Sequence, residues 1–302
     1  MLEQIQRMQK ALTLMNVRLD QAVSDITGVT GMSILRAILK GERDPVKLAS
    51  LREPGCAKSE SQIAEALTGH WREEQLFVLG QTIELWDFHQ NLMRQCDQKI
   101  EALLKSLSVR TSVESNESRA TRRKNQMWFD GQTLLHQCLG MDLTRIKGLA
   151  VLTVLTVISE CGADLSRFPS HKHFVSWLRL APGTKKSGCR VLSSKSRRTT
   201  NRAATALRLA AQSLLKSNSE LGAFGRALRA RIGAEKAITA VAAKLATRIY
   251  LSLQTGRVYE DRGASYHDQQ HHDRHLASLH KRARRLGMQL VPLQPAPDLT
   301  VS

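Results

Sequence analysis

The residues best suited to phosphate chemistry lie in one run, Gly183-Thr-Lys-Lys-Ser-Gly-Cys-Arg190, which continues through Ser193-Ser-Lys-Ser-Arg-Arg198. Small residues and paired cations after Pro182 bring a backbone, with Gly188 in it, close to phosphate oxygens. Lys185, Lys186, Arg190, Lys195, Arg197, Arg198 and Arg202 supply the charged donors. A serine among such cations is also where a nucleophile aimed at a phosphodiester would stand, because the cations offset substrate charge and stabilise the anionic transition state. Ser187, Ser193, Ser194 and Ser196 all share the run, and composition alone singles out none of them. Loop serines without catalysis are the plain alternative.

A second candidate is Ile146-Lys147-Gly148-Leu149-Ala150, ahead of an apolar stretch. A glycine in a tight turn between two helices lets backbone N–H groups approach a phosphate, as in a helix-hairpin-helix contact to the DNA backbone. A helix–helix corner with a capping glycine explains the same residues. Residues 26–38 resemble a degenerate second copy. His267, His271 and His275 recur at a helical i, i+4, i+8 spacing that can hold zinc. No HExxH glutamate or nearby cysteine accompanies them, so the reading is a polar surface helix and no metal residue is assigned. The chain also has no Walker loop and no GxGxxG.

Charge concentrates around the first candidate. The 302 residues carry a net +18, and residues 184–250 hold 15 Lys and Arg against two Asp and Glu, a net of +13. Residues 1–107 hold 13 against 14. So local an excess attracts a polyanion, with nucleic acid the first choice and an anionic membrane surface the second; a solvated basic face is the bland alternative. No apolar run reaches the ~18 residues that span a bilayer. The N-terminus lacks a basic-then-apolar signal, and the five cysteines form no CxxC pair. These features predict a cytoplasmic, nucleoid-associated protein with reduced thiols.

The elements that must position these residues are mainly helical. Ile5, Met8, Leu12, Met15 and Leu19 predict one amphipathic helix. Asp44 is placed to cap the segment after the Gly41–Pro45 turn. Between Arg72 and Leu107, with no proline, Leu76, Leu79, Ile83, Trp86, Met93, Ile100, Leu104 and Leu107 fall near a/d spacing. That predicts a long helix, half of an antiparallel pair or of a dimeric coiled coil. Residues 108–126 read as a linker. The Val151–Ile158 run suits a strand or a buried helix, whereas Ala203–Leu215, Ala234–Leu253 and Tyr266–Leu286 read as helices.

At this point the order of segments resembles the insertion-sequence-110-type transposases, relatives of the pilin-inversion DNA invertases. The stretches that carry the resemblance are ITGVTGMSILRAILKGERDPVKLASLR, ALTGHWREEQLFVLGQTIELWDFH and DLTRIKGLAVLTVLTVISECGADLSRFPSHKHFVSWLRLAPG. They continue with SGCRVLSSKSRRTTNRAATALRLAAQSL, LGAFGRALRARIGAEKAITAVAAKLA and YHDQQHHDRHLASLHKRARRLGMQLVP. The resemblance implies a mainly α chain: a helical and coiled-coil region over 1–107, a transposase domain over 127–256 with a helix-hairpin-helix-like element, and a C-terminal helix and tail over 257–302. It makes the Val151 run a helix.

The resemblance also implies DNA strand cleavage and transfer by a serine in a Ser-Gly-Gly-Lys-like motif. The matching residues here are Ser187-Gly188-Cys189-Arg190, so Ser187 becomes the candidate nucleophile. Cys189 stands where the family has glycine, and Arg190, which keeps the charge, where it has lysine. Such transposases join this domain to an N-terminal RuvC-like domain whose DEDD carboxylates hold Mg²⁺, and some are guided by a structured bridge RNA. The stretches correspond to the C-terminal two-thirds, which implies a truncated or split product, with no cofactor in this chain and Mg²⁺ only in the RuvC-like half. Expected partners are DNA at element ends and targets, a guide RNA, and a second copy through the coiled coil, with no membrane. A non-catalytic DNA- or RNA-binding protein derived from a transposase is the alternative.

Overall fold

A computed structural model describes residues 1–107, 111, 126–257 and 259–291. All of the 108–126 linker except Thr111 and Gln126 lies outside the described residues, as does the tail from 292 on. The chain divides into two compact units, Met1–Ile100 and Glu101–Ser302. Among the described residues the architecture is mainly α-helical, with thirteen α-helices and one two-stranded hairpin. None of the described helices is long and apolar enough to cross a membrane.

The first unit is built from α1 (Leu2–Leu14), α2 (Leu19–Ala22), α3 (Val29–Leu39), α4 (Pro45–Ala49), α5 (Glu60–Ala66) and most of α6 (Glu73–Ser106). The single helix predicted through Leu19 ends early. Asn16 takes the left-handed φ of 59°, and the Val17 N–H donates back to the Leu12 carbonyl at 2.9 Å. Asparagine tolerates that conformation better than most side chains. The reversal is fixed from outside the helix, because Arg18 N–H donates to Ala66 O and His70 N–H to Met15 O, both at 2.7 Å. Asp44 caps α4 as expected, its Oδ1 accepting the Val46 N–H at 3.0 Å, with Pro45 in the first turn.

The seam read along α6 splits. Leu76, Leu79, Ile83 and Trp86 are buried in the first unit's own core with Met8, Leu12, Ile34, Leu35 and Ile38, whereas Met93 and Leu107 are exposed. An a/d pattern reports an apolar face but not which chain covers it. Here the same chain covers the N-terminal half.

The second unit continues with α7 (Gly131–Leu139), a 3₁₀ turn (Leu143–Arg145), α8 (Val151–Cys161), α9 (His171–Trp177), β1 (Lys185–Ser187) and β2 (Arg190–Ser193). It closes with α10 (Arg202–Leu214), α11 (Glu220–Ile232), α12 (Ala234–Thr255) and α13 (Gly263–Arg285). The Val151 run is helix α8: Val154, Val157, Ile158 and Cys161 form its buried i, i+3, i+4, i+7 face, a helical rather than a strand period. Helix α12 packs against α9, α10 and α11, while α8 packs on α10 and α13 on α11. Alanines at the contact, Ala203, Ala204, Ala210 and Ala211 on α10 and Ala237, Ala242 and Ala246 on α12, leave room for close helix approach. Phe174 on α9 is fully buried, and the Tyr250 hydroxyl of α12 donates to the Phe168 carbonyl at 2.7 Å, fixing α9's entry loop to the central helix.

Candidate nucleic-acid interface

The run expected as a loop is a β-hairpin. Lys186 pairs with Val191 and Ser187 with Arg190, which leaves Gly188-Cys189 as a two-residue turn. Gly188 has φ +55° and Cys189 is not in the left-handed region, the pattern of a type II′ turn with glycine at its first central position. An added Cβ at Gly188 would meet nothing within 4 Å, so the glycine is required by the turn's backbone rather than by crowding. A bulge separates Lys185 from Lys186. The hairpin's base is closed by Gly183 N–H donating to Lys195 O at 3.1 Å and by a Pro182–Ser196 bridge.

Every residue from Thr184 to Leu192 is exposed. Lys185, Lys186, Ser187 and Arg190 therefore share one exposed two-stranded ribbon. The Ser187 hydroxyl has no hydrogen-bond partner among the described residues, so nothing there takes its proton. Cys161, the last residue of α8, is buried, whereas Cys189 in the hairpin turn is exposed. Cys161 is 2% exposed, and burial pushes its pKa up to about 11, which keeps it a thiol.

Beyond the hairpin an extended segment carries Arg197 and Arg198 to α10, where the Asn201 side chain caps the helix by accepting the Ala204 N–H at 3.0 Å. Arg202 begins α10 with its Nε 3.8 Å from Glu160 Oε1. A groove of about 870 Å³ opens beside this segment, lined by Glu160, Trp177, Arg179, Arg197, Arg198 and Arg208 together with Thr and Asn side chains. Arg179 and Arg208 escaped sequence reading. The available signal for Arg208 was its position seven residues after Asn201, on the same face of α10.

Lys147 and Gly148 are set apart from this surface. The Lys147 Nζ lies 3.0 Å from Asp261 Oδ2. Gly148 has φ +92°, and a Cβ there would fall 2.6 Å from the Leu214 Cγ of α10, so this glycine serves close packing. Asp261 also accepts the N–H groups of Glu220 (2.9 Å) and Gly263 (3.3 Å). Burial alone would raise its pKa, but those N–H donors and the Lys147 ammonium outweigh burial and hold the carboxyl below its ordinary range. Alongside it, the Tyr259 hydroxyl donates to Glu220 Oε2 at 2.5 Å, and the Arg248 guanidinium lies over the Tyr259 ring at 3.9 Å. Burial and the Glu220 hydrogen bond raise the Tyr259 pKa and keep it a phenol. On α13, the His267 and His271 rings stack with centroids 6.2 Å apart. Among the described residues no three His, Cys, Asp or Glu side chains converge to hold a metal ion.

Compared with known proteins, residues 141–226 match the sequence model of the Transposase IS116/IS110/IS902 family. The match covers under a third of the chain, and it spans the Lys147-Gly148 turn, the hairpin and most of the groove-lining residues. No curated protein and no solved structure matches the chain.

Proposed function

We propose that this chain is a nucleic-acid-binding component of a DNA transposase or recombinase, with Ser187 as the nucleophile that cleaves and transfers a DNA strand. The observation that carries the reading is the family match over 141–226, within which lies the exposed hairpin bearing Ser187. Lys185, Lys186 and Arg190 on that hairpin would neutralise the phosphate under attack. The Ser187 oxygen would form a phosphoserine ester as the P–O bond to one deoxyribose breaks. The serine proton passes to water and the freed sugar oxygen takes one up, so the step needs no redox partner. Lys195, Arg197, Arg198 and Arg202 extend the phosphate contact away from the hairpin. Lys147 and Gly148, in the helix-hairpin-helix-like turn, join it only if Asp261 releases the ammonium.

Activation of Ser187 has to come from outside the hairpin, from the metal-binding half of a family member or from the DNA itself. The second reading, a transposase-derived protein that binds DNA or RNA without cleaving it, is favoured by one observation: no described side chain accepts the Ser187 proton. Self-association through α6 belongs to either reading. The face available for it is Leu85, Phe88, Leu92 and Met93, all exposed, rather than the buried Leu76–Trp86 set.

A direct test incubates the chain and its Ser187→Ala variant with element-end DNA and separates products under denaturing conditions. A protein–DNA adduct from the parent only is the expected result. Should no adduct form, even with a RuvC-like domain supplied, the cleavage reading is lost and the binding reading stands.

A further inference from the structure

The groove beside α10 gathers arginines that are far apart in sequence. Arg179 follows α9, Arg197 and Arg198 lie on the extended segment, and Arg208 projects from the second turn of α10. None of the four has a carboxylate partner among the described residues. The one carboxylate in the lining, Glu160, lies 3.8 Å from Arg202. Four guanidiniums around one open groove repel each other, and an anion that enters relieves that repulsion while gaining several charge-assisted hydrogen bonds.

Arg179 adds an independent observation. It occupies the left-handed region at φ +55°, directly after α9, in a reversal closed by Leu180 N–H donating to Val175 O at 3.1 Å. That position usually takes glycine, and a larger side chain there is strained. The guanidinium at this strained site donates to the Arg198 carbonyl at 2.6 Å, tying the end of α9 to the segment that carries the other arginines. Backbone strain held at a site that also organises a charge cluster points to use of that cluster.

We propose that this groove is a second phosphate site, which takes the sugar–phosphate backbone of the nucleic-acid strand that also lies on the hairpin. The proposal rests on the nucleic-acid-binding reading. Continuity follows from the chain itself: Ser196 closes the hairpin's base against Pro182, and Arg197 and Arg198 come next. A strand held at the hairpin base is thus delivered to the groove mouth. Arg208 contacts a backbone phosphate there, and Arg179 acts both as a contact and as the positioning residue for Arg198. The contacts go to phosphates, so binding is indifferent to sequence.

The test measures binding of fluorescein-labelled DNA of unrelated sequences, single-stranded and duplex, across a series of chloride concentrations. Three variants accompany the parent: Arg208→Gln, Arg208→Lys and Arg179→Gly. The last removes a cation while placing glycine where the backbone favours it, so it keeps the fold even if a change in α10 does not. Arg208→Gln and Arg179→Gly should each weaken binding about 3- to 10-fold, equally for every sequence. Each should also make the log–log salt slope shallower by about 0.9 on duplex or about 0.7 on single strands. Arg208→Lys should restore the slope. Parent-like affinity and slope in both charge-removing variants would overturn the groove while leaving the hairpin reading intact. A parent chain with no salt-dependent binding would overturn the nucleic-acid reading itself. Exchanging chloride for sodium phosphate at equal ionic strength should displace DNA no better. Stronger displacement by phosphate, lost in Arg208→Gln, would make the groove a site for small phosphates and overturn the strand proposal.

Discussion

The unit Met1–Ile100 holds 12 Lys and Arg against 13 Asp and Glu, whereas Glu101–Ser302 holds 33 against 14. Asp, Glu, Lys and Arg together are about equally dense in the two, 25 of 100 and 47 of 202, so the difference lies in balance. In the first unit some cations meet acids, as in Arg7–Glu3 at 2.6 Å and Arg36–Asp87 at 2.7 Å. Exposed pairs like these contribute at most about 1 kcal/mol each and mainly keep a surface soluble. In the second unit the hairpin and groove cations lack such acids. The comparison teaches that where net charge stands uncompensated is settled in three dimensions, which a composition total does not reveal.

The largest expected effect tests whether the basic surface depends on its own unit's core. Phe174, on α9, is fully buried, so Phe174→Ala should cost about 3–5 kcal/mol. Proteolysis of the full chain should then open sites in 127–256 first, with cleavage in 1–100 unchanged. Equal loss of protection in both regions would contradict separate cores.

A smaller effect tests the charge contrast itself. Neutralising Lys185, Lys186 and Arg190 together to glutamine should weaken duplex DNA binding by about one to two orders of magnitude and flatten the salt slope by as much as about 2.7. The same change at Lys40, Lys47 and Lys58 of the first unit should leave both within error. Equal losses from the two triples would mean that charge anywhere on the chain suffices.

The smallest effect concerns a cation that the second unit does compensate. Asp261 has a lowered folded-state pKa, so its stabilisation is present above the ordinary aspartate value near ~3.9 and is lost as pH falls through the folded value. Lys147→Met should raise that folded pKa and lower stability at neutral pH by up to about 1 kcal/mol. The gap between parent and variant, read from urea midpoints, should close below the folded pKa. A gap that persists there would assign Lys147 a role other than pairing Asp261.

Much of the helical architecture was legible in the sequence. The long proline-free stretch, the alanine-rich segments and the capping aspartate at 44 all became the elements their local chemistry specifies. The break at Asn16 was not legible, because it depends on hydrogen bonds from the 66–70 segment that no local spacing reports. The fate of the α6 seam was hidden for a related reason, since periodicity identifies a buried face without naming its cover. For the site, the cluster of cations around Ser187 could be read directly. Its hairpin could not: Lys-Lys-Ser and Arg-Val-Leu are exposed, Ser193 is half-buried, and the two strands give no burial alternation. The groove was further out of reach, because Arg179 and Arg208 meet only through the packing of α9 and α10 on α12.

Hydrogen exchange of the full chain, with and without saturating DNA, tests the central claim most directly. Slowed exchange confined to residues 183–208, with Met1–Ile100 unchanged, is the predicted result. Protection that falls in Met1–Ile100 and spares the hairpin and groove would contradict it.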